Sequence, residues 1–330
     1  MLGKLIALGL LSGALVSTAI SPGQAQGQFP DRPITLINPL PAGGGVDIAM
    51  RGLAKEMQTI LGHPVLVESR AGAGGTIAGT YVAQAKPDGY VVGLFQSTQA
   101  IPEVYAAFQK PPYTSDQIRP VGRYMSLIFG LPTRAGAPWK TMSELVQYIK
   151  ANPGKVRWGR TTGIGHPLQL LAYSLLKKQD LKVIEVPFKG AADAITALLG
   201  GHIDVAFGVS VTATEGHVSA GRLSVLAIHN ATRIKSMPDV PTFAEQGLDP
   251  GVMPVYNTFF VPKDTPDAVV AKLHDALKQA IESPAMIEYA QKNGFELYYG
   301  SEHDVREELK RDRDVTTVLI EAMQKDKPAQ

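Results

Sequence analysis

Two glycine-rich turns of the same kind, Pro41-Ala42-Gly43-Gly44-Gly45-Val46-Asp47 and Arg70-Ala71-Gly72-Ala73-Gly74-Gly75-Thr76, each follow a β-branched apolar run and open into a helical pattern. Strand, turn and helix alternating in this way restrict the chain to an α/β fold with parallel strands. The glycines also say what the turns are for. Without a Cβ, backbone approaches a ligand closely, and the unpaired N–H groups at a helix start point at it with the positive end of the dipole. Two such turns side by side form an anion cradle. Between Pro41 and Thr76 there is no cysteine and no cluster of carboxylates, so the pattern indicates capture of a small anion rather than its conversion.

The first residues give an address. Lys4 supplies one positive charge, Leu5 to Ile20 is apolar, and Ser21-Pro22-Gly23-Gln24-Ala25 ends the run with small residues, the pattern of a secretory signal over 1–25 cut after Ala25. The apolar run is short and interrupted for a span of ~20 residues, which disfavours a membrane anchor. The chain has no cysteine, which removes disulfides, thiol catalysis, zinc–thiolate sites and a lipid-anchoring cysteine. The expectation is an exported, soluble periplasmic protein that is not a lipoprotein. Its formal net charge of +2 falls to +1 when Lys4 leaves with the signal, and basic residues are scattered, so no nucleic-acid or anionic-membrane surface is expected.

Further along, Ile34–Ile37, Val65–Val67 and Tyr90–Phe95 read as strands, with helices between them and a stop at Lys86-Pro87-Asp88-Gly89. This is a βαβαβ half of a doubly wound sheet, whose ligands bind beyond the carboxyl ends of the strands, where both glycine turns fall. An extended run from Arg119 to Pro132 is long enough to cross into a second domain. Thr141-Met142-Ser143-Glu144 is a capping box, and strands at 156–159, 182–188, 203–207 and 223–228 make a second sheet. These end in turn chemistry at Arg160–His166, Lys189–Asp193 and Gly208–Thr212. Asn257–Val261 is expected to return to the first sheet, followed by helices opened at Thr265-Pro266, Ser283-Pro284 and Ser301. The expected domains are 26–126 with 250–330, and 127–249, joined near Met125–Phe129 and Pro250–Tyr256.

Taken in order, Phe29-Pro30-Asp31-Arg32-Pro33-Ile34, the two glycine turns, Lys86-Pro87-Asp88-Gly89-Tyr90, Pro187-Phe188-Lys189-Gly190, Gly221-Arg222-Leu223 and Pro238-Asp239-Val240-Pro241-Thr242 closely resemble the Bug-type solute receptors of tripartite tricarboxylate transporters. The resemblance covers essentially the whole mature chain. It implies a type II periplasmic binding-protein fold, two lobes closing on a carboxylated solute, and delivery to separate large and small membrane subunits by a monomeric receptor. It also implies that backbone groups of Pro41, Ala42 and Gly43 in the first turn, and Ala73, Gly74 and Thr76 in the second, hold the carboxylate, often through water.

The second lobe departs from the usual family pattern. A run usually rich in Ser, Asn and Thr is here Thr161-Thr162-Gly163-Ile164-Gly165-His166. Ala191 and Ala192 follow Lys189-Gly190 where a hydroxyl is usual, and Gly208-Val209-Ser210 lacks the usual Asp. The missing acid and hydroxyls point away from amino acids, towards a dicarboxylate or a more apolar, even aromatic, acid. Thr161 and Thr162 end a central strand and are the best side-chain hydroxyl donors. Lys189, Gly190, Ala191 and Ser210 complete the candidate set. His166 reads equally well as a ligand contact or as a cap before Pro167, and Asp47 suits a helix dipole better than a ligand cation. Arg70 and Arg160 could meet a carboxylate or pair with acids of their own domain.

Other functions fit less well. Ile77 stands where the third glycine or alanine of a dinucleotide fingerprint belongs, no Walker ending exists, and neither Gly-x-Ser-x-Gly nor His-Glu-x-x-His occurs, so no cofactor, metal or catalytic residue is assigned and a periplasmic hydrolase is the weaker alternative. A sensory receptor signalling to a membrane kinase stays open beside uptake.

Overall fold

The computed structural model describes residues 29–107, 110–162, 166–188, 190–230, 232–248, 255–293 and 295–325. The expected signal at 1–25, Gly163–Gly165, Lys189 and the 250–254 part of the second crossing lie outside them. Within the described residues, β1 (Ile34–Asn38), α1 (Gly45–Leu61), β2 (Val65–Ser69), α2 (Thr76–Ala83) and β3 (Val91–Phe95) form the first unit. β1 pairs in parallel with β2 and β3 on its two sides, with Asn38 level with Ser69. Four of the five β1 residues are buried, which explains its unbroken apolar run.

A short helix α3 (Ser97–Ala100) follows, and then β4 (Ile118–Leu127) passes almost without pause into β5 (Phe129–Arg134). The extended run seen in the sequence is thus two strands belonging to two sheets. The second unit continues with α4 (Met142–Ala151), β6 (Arg157–Arg160), α5 (Pro167–Lys178), β7 (Ile184–Pro187), α6 (Ala191–Leu199), β8 (Val205–Phe207), β9 (Val209–Ser210), α7 (Val211–Ser219) and β10 (Leu223–His229). β11 (Val255–Pro262) then rejoins the first sheet, and α8 (Asp267–Glu282), α9 (Pro284–Asn293), β12 (Glu296–Gly300) and α10 (Glu302–Lys325) end the chain. The sheets run β12-β4-β11-β3-β1-β2 and β10-β5-β8-β6-β7, with β9 beside β5. β12, an edge strand without a sequence reading of its own, pairs antiparallel with β4.

Helix faces follow from the spacing of apolar residues. Val46, Ala49, Met50, Leu53 and Met57 of α1 bury one stripe against Val270, Leu273, Leu277 and Ile281 of α8. At about 1.5–3 kcal/mol per large side chain buried, this seam fixes where α1 begins, and so where the first turn points. The second lobe has its own core around Trp158, Leu145, Leu171 and Phe207.

Candidate ligand site

The two glycine turns start side by side. The Arg70 amide donates to the Asn38 carbonyl at 2.8 Å, so the exits of β1 and β2 are stapled together. Asp47 ties the first turn from within: its carboxylate accepts from the Gly43 amide at 3.0 Å, the Arg51 Nε at 2.8 Å and the Asn38 amide at 3.2 Å. The Arg51 bonds hold this carboxyl below its usual range, with Gly43 and Asn38 acting the same way against the cost of burial. Asp47 is therefore internal to the turn, and the Gly43 N–H is already occupied.

What the turn leaves open is the start of α1. Its N-cap is Gly44, which has no side chain to accept from the first helical amides. The second turn does the same only in part. Gly72, Ala73, Gly74 and Gly75 all have positive φ, at 129°, 45°, 62° and 90°, and Gly75 is the N-cap of α2 without a side-chain cap. The Gly75 amide donates to the Gly72 carbonyl at 2.9 Å and the Thr76 amide to the Ala73 carbonyl, so neither amide, the expected one of Thr76 included, is open to a ligand. The Thr76 hydroxyl donates to the Ala73 carbonyl at 2.9 Å, leaving its lone pairs. Pro41, Ala42, Gly43 and Ala73 are exposed around this backbone, and Thr76 is half-buried.

On the second lobe, the Thr161 hydroxyl donates to the Gly208 carbonyl at 2.7 Å, fastening the exits of β6 and β8 to each other. Thr162 makes no side-chain hydrogen bond to the described residues, and its carbonyl accepts from Arg160 at 2.9 Å. His166 is the N-cap of α5, its Nδ1 accepting from the Leu168 amide at 3.2 Å. Burial pushes this imidazole down to about 4, although part of the residue reaches solvent. A neutral ring with Nδ1 accepting carries its proton on Nε2, so His166 caps its helix and still offers a donor. Gly190 is a second bare N-cap, for α6, and Ala191 follows it. Ser210 caps α7 by accepting from the Ala213 amide at 3.4 Å, and lines a separate groove of about 780 Å³ with Ser126, Leu127 and Ile128; neither glycine turn contributes to that groove.

The strand-end arginines pair inside their own lobes. Arg70 meets Glu68 at 2.7 Å and stacks over Tyr81, and Arg160 meets Glu185 at 3.3 Å. One participant had no reading from the sequence: Gln99 of α3, which donates to the Gly74 carbonyl at 2.6 Å. Its signal was available, because β3 also ends on the cradle side and Gln96 with Gln99 form a capping box immediately after it.

The model of the tripartite tricarboxylate transporter family receptor matches residues 49–324. The chain belongs to that family. Among its relatives, a UPF0065 protein of Bordetella pertussis is 34% identical over 279 residues, 84% of this chain and 85% of that protein. Among solved structures, a TctC solute binding protein from Polaromonas, without ligand, superposes with a TM-score of 0.76 at 29% identity, over 89% of this chain and 99% of that one. MatC from Rhodopseudomonas palustris, solved with bound malate, gives 0.74 at 26% identity, over 88% and 100%. The two-sheet architecture is the periplasmic binding-protein fold of these receptors, and this family member is a solute-binding receptor in class.

Proposed function

We propose that this receptor captures a small carboxylate between its two lobes in the periplasm and delivers it to a tripartite tricarboxylate-type membrane transporter. The observation that carries the reading is the set of glycine N-caps: α1, α2 and α6 each begin on a glycine, so three helix starts present amides that no side chain occupies. One carboxylate sits on the paired starts of α1 and α2, and a second meets the start of α6. The malate bound to MatC, a structural neighbour at 26% identity, supports a dicarboxylic ligand. Thr162 and the His166 Nε2–H supply side-chain donors on the second lobe, and Lys189 adds positive charge to it.

Ala191 and Ala192 beside the α6 start offer no hydroxyl, which favours acids with an apolar body over polyhydroxy acids and amino acids. A thermal-shift screen of the mature protein against malate, succinate, adipate, benzoate and glutamate tests this. Binding stabilises by RT ln(1 + [L]/Kd), about 2.7 kcal/mol at a hundredfold excess over Kd. A raised melting temperature with a dicarboxylate, with the acid recovered unchanged, is expected; stabilisation by glutamate alone would overturn the ligand class.

A further inference from the structure

The second glycine turn is an unusual piece of backbone. Four successive residues lie at positive φ, one of them Ala73 at 45°, a conformation an L-residue adopts at a cost of about 1–2 kcal/mol. Such a loop keeps one shape only if something outside it holds it. The holder is buried directly behind it. Gln99 spends its side-chain amide on protein: Nε2 donates to the Gly74 carbonyl at 2.6 Å and to the Thr98 hydroxyl at 2.7 Å, while Oε1 accepts from the Gln96 amide at 2.9 Å. Packing at this point is tight, since a Cβ on Gly75 would run into the Gln99 amide.

Gln99 is itself anchored from two sides. Tyr113 donates its hydroxyl to the Gln99 carbonyl at 2.8 Å. At the other end of α3, the Ser97 hydroxyl donates to the Asp312 carboxyl at 2.7 Å, a bond to the middle of α10. The same helix carries Ile320 into a cluster with Ile101, Tyr105 and Leu170, and Leu170 belongs to α5 of the second lobe, the helix that His166 caps.

We propose that Gln99 is the positioning residue of the second turn, holding its backbone so that the Gly74 amide and the start of α2 meet a carboxylate at a fixed angle, and that the C-terminal helix keeps Gln99 in place through Ser97 and Asp312. The proposal rests on the carboxylate reading above. Neither Gln99 nor Asp312 touches the ligand; both act through the turn.

Gln99→Met keeps the length of the side chain and deletes the donor. Gln99→Glu sets an acceptor against the Gly74 carbonyl at neutral pH and regains a donor when protonated. The titratable and charged groups around that position are Tyr113, held protonated by burial, Asp312 with its neighbours Glu308 and Arg311, and Arg70 paired to Glu68 at the head of the turn. Two readouts are taken: calorimetry with malate and succinate, and hydrogen exchange of residues 74–76 in the ligand-free protein. Q99M is expected to weaken binding tenfold or more and to speed exchange at 74–76, with the melting temperature kept within a few degrees. Q99E is expected to lose binding at pH 8 and to recover it, relative to the wild type at the same pH, towards pH 5. Ser97→Ala, a lighter change that carries the test if Q99M does not fold, is expected to move both readouts the same way by a few-fold. Wild-type affinity and exchange in Q99M, or binding by Q99E that ignores pH, would overturn the role of Gln99; unchanged behaviour of S97A would overturn that of α10. If the wild type binds neither acid, the carboxylate reading fails, and the exchange data still decide whether Gln99 holds the turn.

Discussion

His166 and Asp312 are buried titratable groups displaced in opposite directions, and their effects on stability oppose each other. Burial pushes the His166 imidazole down to about 4 from 6.5, so its contribution is complete above pH 6.5 and is lost as pH falls through about 4. Burial pushes the Asp312 carboxyl up to about 6 from 3.8, with its Ser97 bond pulling the other way, so its contribution is complete below pH 3.8 and is lost as pH rises through about 6. Each displacement is worth up to about 3 kcal/mol. His166→Asn, which keeps an N-cap acceptor, is therefore expected to raise the melting temperature by several degrees near pH 4 and to leave it unchanged at pH 8. Asp312→Asn, which keeps an acceptor for Ser97, is expected to do the reverse. Melting curves from pH 4 to 8 check both, and parallel curves for wild type and variant would remove the assignment for that residue.

Among the elements, the glycine-capped helices carry the proposed function, and the structure shows which glycines test them cleanly. Gly43 and Gly74 lie at φ 81° and 62°, so any side chain there strains the backbone whatever happens to the ligand. Gly44 and Gly190 have extended backbone, at φ −77° and −177°. A Cβ on Gly44 would make an ordinary 3.6 Å contact with the Pro41 carbonyl, and one on Gly190 would meet nothing within 4 Å. Gly44→Val and Gly190→Val are expected to fold normally and to weaken dicarboxylate binding at least tenfold, a loss of about 1.4 kcal/mol or more, as read by calorimetry. Wild-type affinity in Gly190→Val would remove α6 from the site.

The sequence showed these elements because glycine beside a helix start is a local signal. It could not show that Asp47 takes the Gly43 amide, that Thr161 fastens β6 to β8, or that Gln99 braces the turn. Those bonds join residues up to 47 positions apart, and side-chain identity alone does not say which partner is used. β12 went unread for a similar reason: a short edge strand between two helices takes its identity from β4 beside it.

At the scale of the molecule, the alternation of strands and helices and the return of β11 to the first sheet were legible, because each is written in apolar periodicity and turn residues. The bridging role of α10 was not. From Glu302 to Asp314 the helix mixes both charge signs at helical spacing, a pattern that resembles a solvated face, yet Asp312, Thr316 and Ile320 are buried along it. Glu308 pairs with Arg123, whose guanidinium lies 4.3 and 4.2 Å from the rings of Tyr256 and Tyr298. α10 thus packs on β4 and β11 at the crossing and reaches α5 in the second lobe, so movement of the lobes is expected to turn about β4–β5 while α5 pivots on Ile320.

Closure of the two lobes on a carboxylate is the central claim, and small-angle scattering measures it. With a dicarboxylate chosen from the thermal-shift screen, the radius of gyration of the mature protein is expected to fall in step with saturation. It should stay at the ligand-free value in Gly44→Val at the same concentration. An unchanged radius of gyration in the wild type at full saturation would contradict capture between closing lobes.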